Sequence, residues 1–225
     1  MATHLDLEEQ EQLDRLKAFW KQYGNAITWL LIVVLGGFAA WNGWNWYQRD
    51  QGTKAGALYD EIEQAAQGAK LDALSGLFKT MQERYGGSAW AQQAGLLVAK
   101  VQWEGKQADA AIASLEWVAA KGADEEYRTV ARLRLAGILL EQKKLDEALK
   151  QLDGATAKAF EPLVLDRRGD VLLAQGKADD AKAAYARAYA AMSDKLEYRR
   201  IVEAKLIALG APPPKEAPKA AGAAS

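Results

Sequence analysis

Apolar and polar positions follow three successive patterns along this chain. From Leu5 to Tyr23 the apolar residues Leu13, Leu16, Phe19 or Trp20, and Tyr23 recur every three to four positions, while Glu8, Glu9, Glu11 and Asp14 occupy other faces. This spacing predicts an amphipathic helix, with Thr3 or Asp6 to cap its start and Gly24-Asn25 to break it. Its aromatic end suits a helix resting at a membrane interface, or a docking stripe for a partner. Between Lys21 and Arg49 no residue is charged, and these 27 positions would reach roughly 40 Å as a helix, enough to span a bilayer. Trp29 stands towards one end of this stretch and Trp41, Trp44, Trp46 and Tyr47 gather at the other, as aromatic belts at two interfaces do. A buried core helix rarely runs so far without charge, and a cleaved leader has a shorter apolar stretch nearer its start. An uncleaved anchor is therefore expected. Gly36 with Ala40 and Ala39 with Gly43 place small residues four apart, which would let another membrane helix approach closely.

After Arg49 the pattern turns to alanine-rich helical periodicity broken by short Gly, Lys or Asp turns. The segments Lys106-Gln107-Ala108-Asp109-Ala110-Ala111, Lys143-Lys144-Leu145-Asp146-Glu147-Ala148 and Gly176-Lys177-Ala178-Asp179-Asp180-Ala181 align, with their first Asp residues 37 and 33 positions apart. Twelve positions before the last Ala of each stands a small residue, Ala99, Ala136 or Gly169, and four after it a bulky one, Leu115, Leu152 or Tyr185. Three further on come Val118, Ala155 and Ala188. Small against small lets two helices cross closely while the bulky residue fills the adjoining space. Each Asp is expected to accept backbone N–H groups at the start of the second helix. The pattern resembles the tetratricopeptide consensus, a helical hairpin of about 34 residues, although the consensus Trp and closing Pro are missing. Thr53 to Gln67 and Leu71 to Tyr85 form an earlier hairpin with a partial match. Leu196 to Leu209, through Tyr198, Ile201, Val202, Leu206 and Leu209, reads as the terminal helix that a solenoid needs over its open face. Gly210 and three prolines stop it, and the remaining tail has a disordered composition.

Composition narrows the chemistry. The chain has 29 basic and 30 acidic residues, so it lacks the basic footprint of a nucleic-acid binder. It has no Cys and one His, His4, which removes disulfides, thiolate nucleophiles and His-based metal sites. No cofactor, metal site or catalytic residue is expected. Arg15, Lys17 and Lys21 precede the apolar span while Arg49 and Lys54 follow it. The positive-inside tendency then puts the N-terminus in the cytoplasm and the large part across the membrane.

Glu8-Glu9-Gln10-Glu11-Gln12-Leu13, Lys17-Ala18-Phe19-Trp20-Lys21-Gln22-Tyr23-Gly24-Asn25 and the Trp-rich span together resemble the YfgM-like family of ancillary subunits of the bacterial SecYEG translocon. That resemblance implies SecYEG and a membrane-anchored periplasmic peptidyl-prolyl isomerase as partners, contact with translocating polypeptides, and a chaperone-like role in the periplasm. The expected architecture is all-α, with a single transmembrane helix followed by a tetratricopeptide-like helical-hairpin solenoid. Residues 1–24 form the cytoplasmic segment, 25–47 the anchor in the lipid bilayer, 48–209 the repeat domain and 210–225 the tail.

The tetratricopeptide pattern places Leu96, Lys100 and Trp103, then Leu133 and Leu140, then Asp166, Asp170 and Leu173 towards an inner groove. This set is mostly apolar and suits a peptide with hydrophobic side chains better than an acidic tail, which needs clustered Lys and Arg. The competing reading packs Trp103, Leu140 and Leu173 between repeats. Two other functions fit less well: a cytoplasm-facing adaptor of reversed orientation, and an anchored enzyme using Asp166 and Asp170 as acid and base. The second conflicts with an expected solvated surface beside Arg167 and Arg168, because paired carboxylates need different environments.

Overall fold

The computed structural model describes residues 7–212. The cap expected at Thr3 or Asp6 and the tail from residue 213 onward lie outside them. The described residues form nine α-helices and one short 3-10 helix, with no strand. The helices are α1 (Leu7–Gln67), α2 (Leu71–Tyr85), α3 (Ala89–Glu104), α4 (Ala108–Lys121), α5 (Glu125–Glu141), α6 (Leu145–Asp153), α7 (Glu161–Ala174), α8 (Ala178–Ala191) and α9 (Tyr198–Ala208). The 3-10 turn, Lys158–Phe160, leads into α7. The chain divides into two units after Thr53, and α1 contributes to both.

In the first unit α1 carries both the amphipathic segment and the apolar span. The break expected at Gly24-Asn25 does not occur, because Gly24 is covered by the Trp20 ring, which lies 3.2 Å from where a Cβ would stand. The Thr28 hydroxyl donates to the Gly24 carbonyl at 2.7 Å and the Asn42 amide to the Phe38 carbonyl at 3.0 Å. The polar side chains of Thr28 and Asn42 are thus satisfied within the helix, as a hydrocarbon environment favours. Leu30 to Leu35, Phe38, Trp41, Trp44 and Trp46 are all exposed. Such a continuous apolar surface needs a nonaqueous surrounding, and the helix is long and apolar enough to cross a membrane. Gly36, Ala39, Ala40 and Gly43 share one exposed stripe, and a Cβ added at either glycine would meet nothing within 4 Å.

The second unit is a row of helical hairpins: the end of α1 with α2, α3 with α4, α5 with α6, and α7 with α8. All four connections use the same turn. Ala69, Lys106, Lys143 and Gly176 take positive φ values of 48°, 62°, 61° and 79°. In each the N–H of that residue and of the next bond back to the third- and fifth-preceding carbonyls, for example Lys143 to Leu140 and Lys144 to Leu139. This is the Schellman closure of a helix C-terminus. Gly210, at φ 71°, closes α9 in the same way.

The second helix therefore begins two residues after the left-handed one, and Asp109, Asp146 and Asp179 fall inside its first turn. None makes a side-chain cap bond, contrary to the sequence expectation. Their negative charge instead complements the positive end of the helix dipole.

Packing follows the small-against-small rule. Ala99, Ala111, Ala136, Ala148 and Ala181 are buried, with Leu115, Leu152 and Tyr185 beside them. The first hairpin is built from larger residues, with Ile62 and Leu74 in the equivalent places. Ala155 departs from the pattern: α6 ends at Asp153, and Ala157 is buried beyond it, its N–H bonded to the Thr129 hydroxyl at 3.1 Å.

Helix α4 packs on both α3 and α5, and α6 on both α5 and α7, while α3 touches α5 and α5 touches α7 directly. So α3, α5 and α7 make one layer. Val202 and Leu206 of α9 are buried with Tyr185, Ala188 and Met192, covering the last hairpin, while Ile201 faces solvent.

Candidate binding groove

The layer of first helices opens into a cleft of about 350 Å³. Ala99, Lys100 and Trp103 of α3, Leu115 of α4, Arg134, Gly137, Ile138 and Glu141 of α5, and Arg167 of α7 line it. Aligning Ala99, Ala136 and Gly169 puts Lys100, Gly137 and Asp170 at one level, and Leu97, Arg134 and Arg167 at another. The missing side chain at Gly137 keeps the middle open, since a Cβ there would lie 3.9 Å from the Arg167 guanidinium carbon. Arg134 donates to the Leu96 carbonyl at 2.9 Å. Partial burial lowers its pKa by penalising the charged form.

The residues singled out by sequence separate into three groups. Lys100 and Trp103 line the cleft, and Leu96 supplies the carbonyl that positions Arg134. Leu133 and Leu140 are half-buried against the core around Ala136, Leu139 and Leu152, and Leu173 is exposed on α7 outside the cleft lining. Asp166 and Asp170 face α9. The Lys205 ammonium bonds both Asp166 oxygens at 2.8 and 2.9 Å and Asp170 Oδ1 at 2.6 Å. Tyr198 donates its hydroxyl to Asp166 at 2.7 Å, and Tyr185 donates to Asp170 at 2.8 Å.

Asp166 is only 1% exposed, which corrects the solvated surface expected beside Arg167 and Arg168. Burial, followed by the hydrogen bond to a carboxylate, raises the pKa of both phenols. This cluster latches the terminal helix. Among the described residues no three of His, Cys, Asp and Glu are grouped to hold a metal ion.

The sequence that folds into these hairpins matches known proteins over most of its length. A family model described as a tetratricopeptide repeat-like domain matches residues 17–211. The chain is 33% identical over 210 residues to a protein of Neisseria gonorrhoeae (strain ATCC 700825 / FA 1090) named Ancillary SecYEG translocon subunit, covering 93% of this chain and all of that one. The chain belongs to the YfgM-like family. Proteins of the same name from Escherichia coli (strain K12) and Haemophilus influenzae (strain ATCC 51907 / DSM 11121 / KW20 / Rd) are 29% and 28% identical over 79% and 81% of the chain, and 85% and 89% of their own lengths.

Within this YfgM-like chain, Arg134, Gly137, Ile138, Glu141 and Arg167 are cleft residues that the tetratricopeptide pattern did not place in the groove. The signal was one register away: Arg134 and Arg167 directly follow Leu133 and Asp166. A row of apolar residues drew attention from the adjacent row, where a leucine gives way to two arginines.

Proposed function

We propose that the protein is a membrane-anchored interaction module at the protein-translocation channel of the bacterial inner membrane. It engages partner chaperones and emerging unfolded chains through the inner-layer cleft, and it acts by binding rather than by catalysis. The whole-length similarity to a relative named as an ancillary subunit of SecYEG carries this reading. On it, residues 1–24 are cytoplasmic, 25–47 span the membrane once, and 48–209 form the repeat domain in the periplasm, ahead of the tail 210–225. SecYEG, translocating polypeptides and a membrane-anchored periplasmic peptidyl-prolyl isomerase are its partners, and the stripe of Gly36, Ala39, Ala40 and Gly43 packs on a partner helix in the bilayer.

Lys100 and Trp103 are the central groove contacts, with Leu96, Leu133, Leu140 and Leu173 shaping the layer around them. Asp166 and Asp170 seat the end helix beside it. A photoreactive amino acid at position 103 should crosslink translocating chains or chaperones, and labelling of lipid alone would refute the reading. Protease added to spheroplasts should digest the repeat domain; protection there with digestion after lysis would establish the reversed orientation.

A further inference from the structure

The cleft carries more positive charge than a site for apolar side chains requires. Lys100, Arg134 and Arg167 line it, against Glu141 as the one carboxylate among the lining residues. The cations are poorly neutralised from within. Arg134 bonds a neutral carbonyl, that of Leu96. Among the described residues Lys100 pairs with Glu104, at 3.8 Å and with both side chains largely exposed. Arg167 stands 3.4 Å from Asp170, whose other oxygen is already held by Lys205 and Tyr185. A partly desolvated guanidinium gains most from a carboxylate, which matches its planar fork. Trp103, half-buried on the adjoining helix, offers an apolar surface beside these charges. At about 350 Å³ the cleft has room for one large side chain with a flanking carboxylate.

We propose that the cleft reads acidic-apolar segments: it takes an extended partner segment that seats an aromatic or aliphatic side chain on Trp103 and places side-chain carboxylates against Arg134 and Arg167. The inference rests on the groove reading above and gives that groove a substrate chemistry. It reverses the expectation, drawn from the apolar row alone, that an acidic ligand is disfavoured. Charge complementarity carries it: three cations converge on an opening that Gly137 leaves clear.

The test uses the full chain in phosphatidylcholine nanodiscs, so that no anionic lipid competes. The probe is a short fluorescein-labelled peptide of alternating Phe and Glu, acetylated and amidated at its ends, compared with counterparts carrying Gln or Lys in place of Glu. Fluorescence anisotropy should show the Glu peptide binding roughly tenfold tighter than the Gln peptide, with the Lys peptide weakest and the preference shrinking as salt is raised. Arg134→Gln with Arg167→Gln should bring the Glu and Gln peptides to nearly equal affinity. Lys100→Glu, at an exposed position that the fold tolerates, should reduce the preference several-fold. Equal binding of Glu and Gln peptides, or a preference that survives these changes, overturns the proposal. Equal binding of all three peptides that Trp103→Ala weakens would remove the charge inference and leave the groove reading standing; no binding of any peptide would remove both.

Discussion

Replacing Lys205 with methionine removes the cation that two carboxylates share while keeping most of the side chain's apolar bulk. The Lys205 side chain is 26% exposed, Asp166 2% and Asp170 19%, so the cluster is mostly withdrawn from water. Deleting one partner of a buried pair strands the remaining charge and costs about 3–5 kcal/mol; the exposed edge of Lys205 favours the lower end, about 3 kcal/mol. In a row of repeats each unit leans mainly on its neighbours, so the loss should concentrate in α9 rather than spread through the domain. Hydrogen exchange of the α9 amides should accelerate roughly hundredfold, since each 1.4 kcal/mol is about tenfold, while α3 and α4 change little. Lys182→Met supplies the control, because its partner Asp179 is 96% exposed and such pairs contribute little. Adding Asp166→Asn and Asp170→Asn to Lys205→Met should recover part of the loss by removing the stranded charges. Unchanged exchange in α9 after Lys205→Met, or a triple variant no better than the single one, would refute the latch.

Three further outcomes follow from backbone and packing. Lys106→Gly and Lys143→Gly should each stabilise the domain by about 1 kcal/mol, because a non-glycine residue at positive φ carries about 1–2 kcal/mol of strain; urea midpoints would show it. Gly169→Ala should destabilise it by about 2 kcal/mol, because overpacking costs up to about 3 and better helix propensity returns only about 1. The added Cβ would sit 2.4 Å from the buried Tyr185 ring, whereas at Gly76 it meets nothing and Ala should stabilise slightly, a contrast that thermal melts can read. Tyr185 and Tyr198 keep their protons in the fold above the pH at which unfolded phenols lose theirs, near the ordinary value of 10.0. Their contribution is complete below about pH 10 and falls as pH rises beyond it. Denaturation midpoints should therefore drop on the alkaline side, and Tyr185→Phe with Tyr198→Phe should flatten that fall.

What the sequence disclosed was what local spacing controls. The hairpins emerged because Ala99, Ala136 and Gly169 recur against Ala111, Ala148 and Ala181, and the span because charges stop between Lys21 and Arg49. The turns are less legible: Lys106 and Lys143 occupy positions whose usual marker is glycine, and in all three repeats, Gly176 included, the left-handed residue starts the second helix early enough to put Asp109, Asp146 and Asp179 inside its first turn. Gly24 reads as a breaker from its residue type alone, whereas its neighbour Trp20, one turn earlier on the same helix, covers it. Asp166 and Asp170 beside two arginines looked like an ordinary surface, since their main partner is 39 and 35 positions away at Lys205. Local spacing rules reach only three or four residues. The charge of the cleft was hidden for the same reason, being assembled from three helices.

The latch also bears on the choice between binding and catalysis. Asp166 and Asp170 are the paired carboxylates that an acid–base mechanism would enlist, but such a pair needs one member held as an acid and the other ionised, with a reacting atom between them. Here one ammonium bridges both, and each carboxylate also accepts from a tyrosine hydroxyl, so the space between them is filled by Lys205. The cleft itself contains three cations, one carboxylate and a tryptophan edge. Seating an apolar side chain on that edge is worth about 2 kcal/mol, and one or two partly exposed charge pairs add about 1 kcal/mol each. Those gains total about 3–4 kcal/mol and do no more than offset an association cost of at least about 4 kcal/mol, so the cleft alone would hold such a segment only weakly. Weak, rapidly reversible contact is what the proposed role beside a translocating chain would require, since a tight site would arrest that chain.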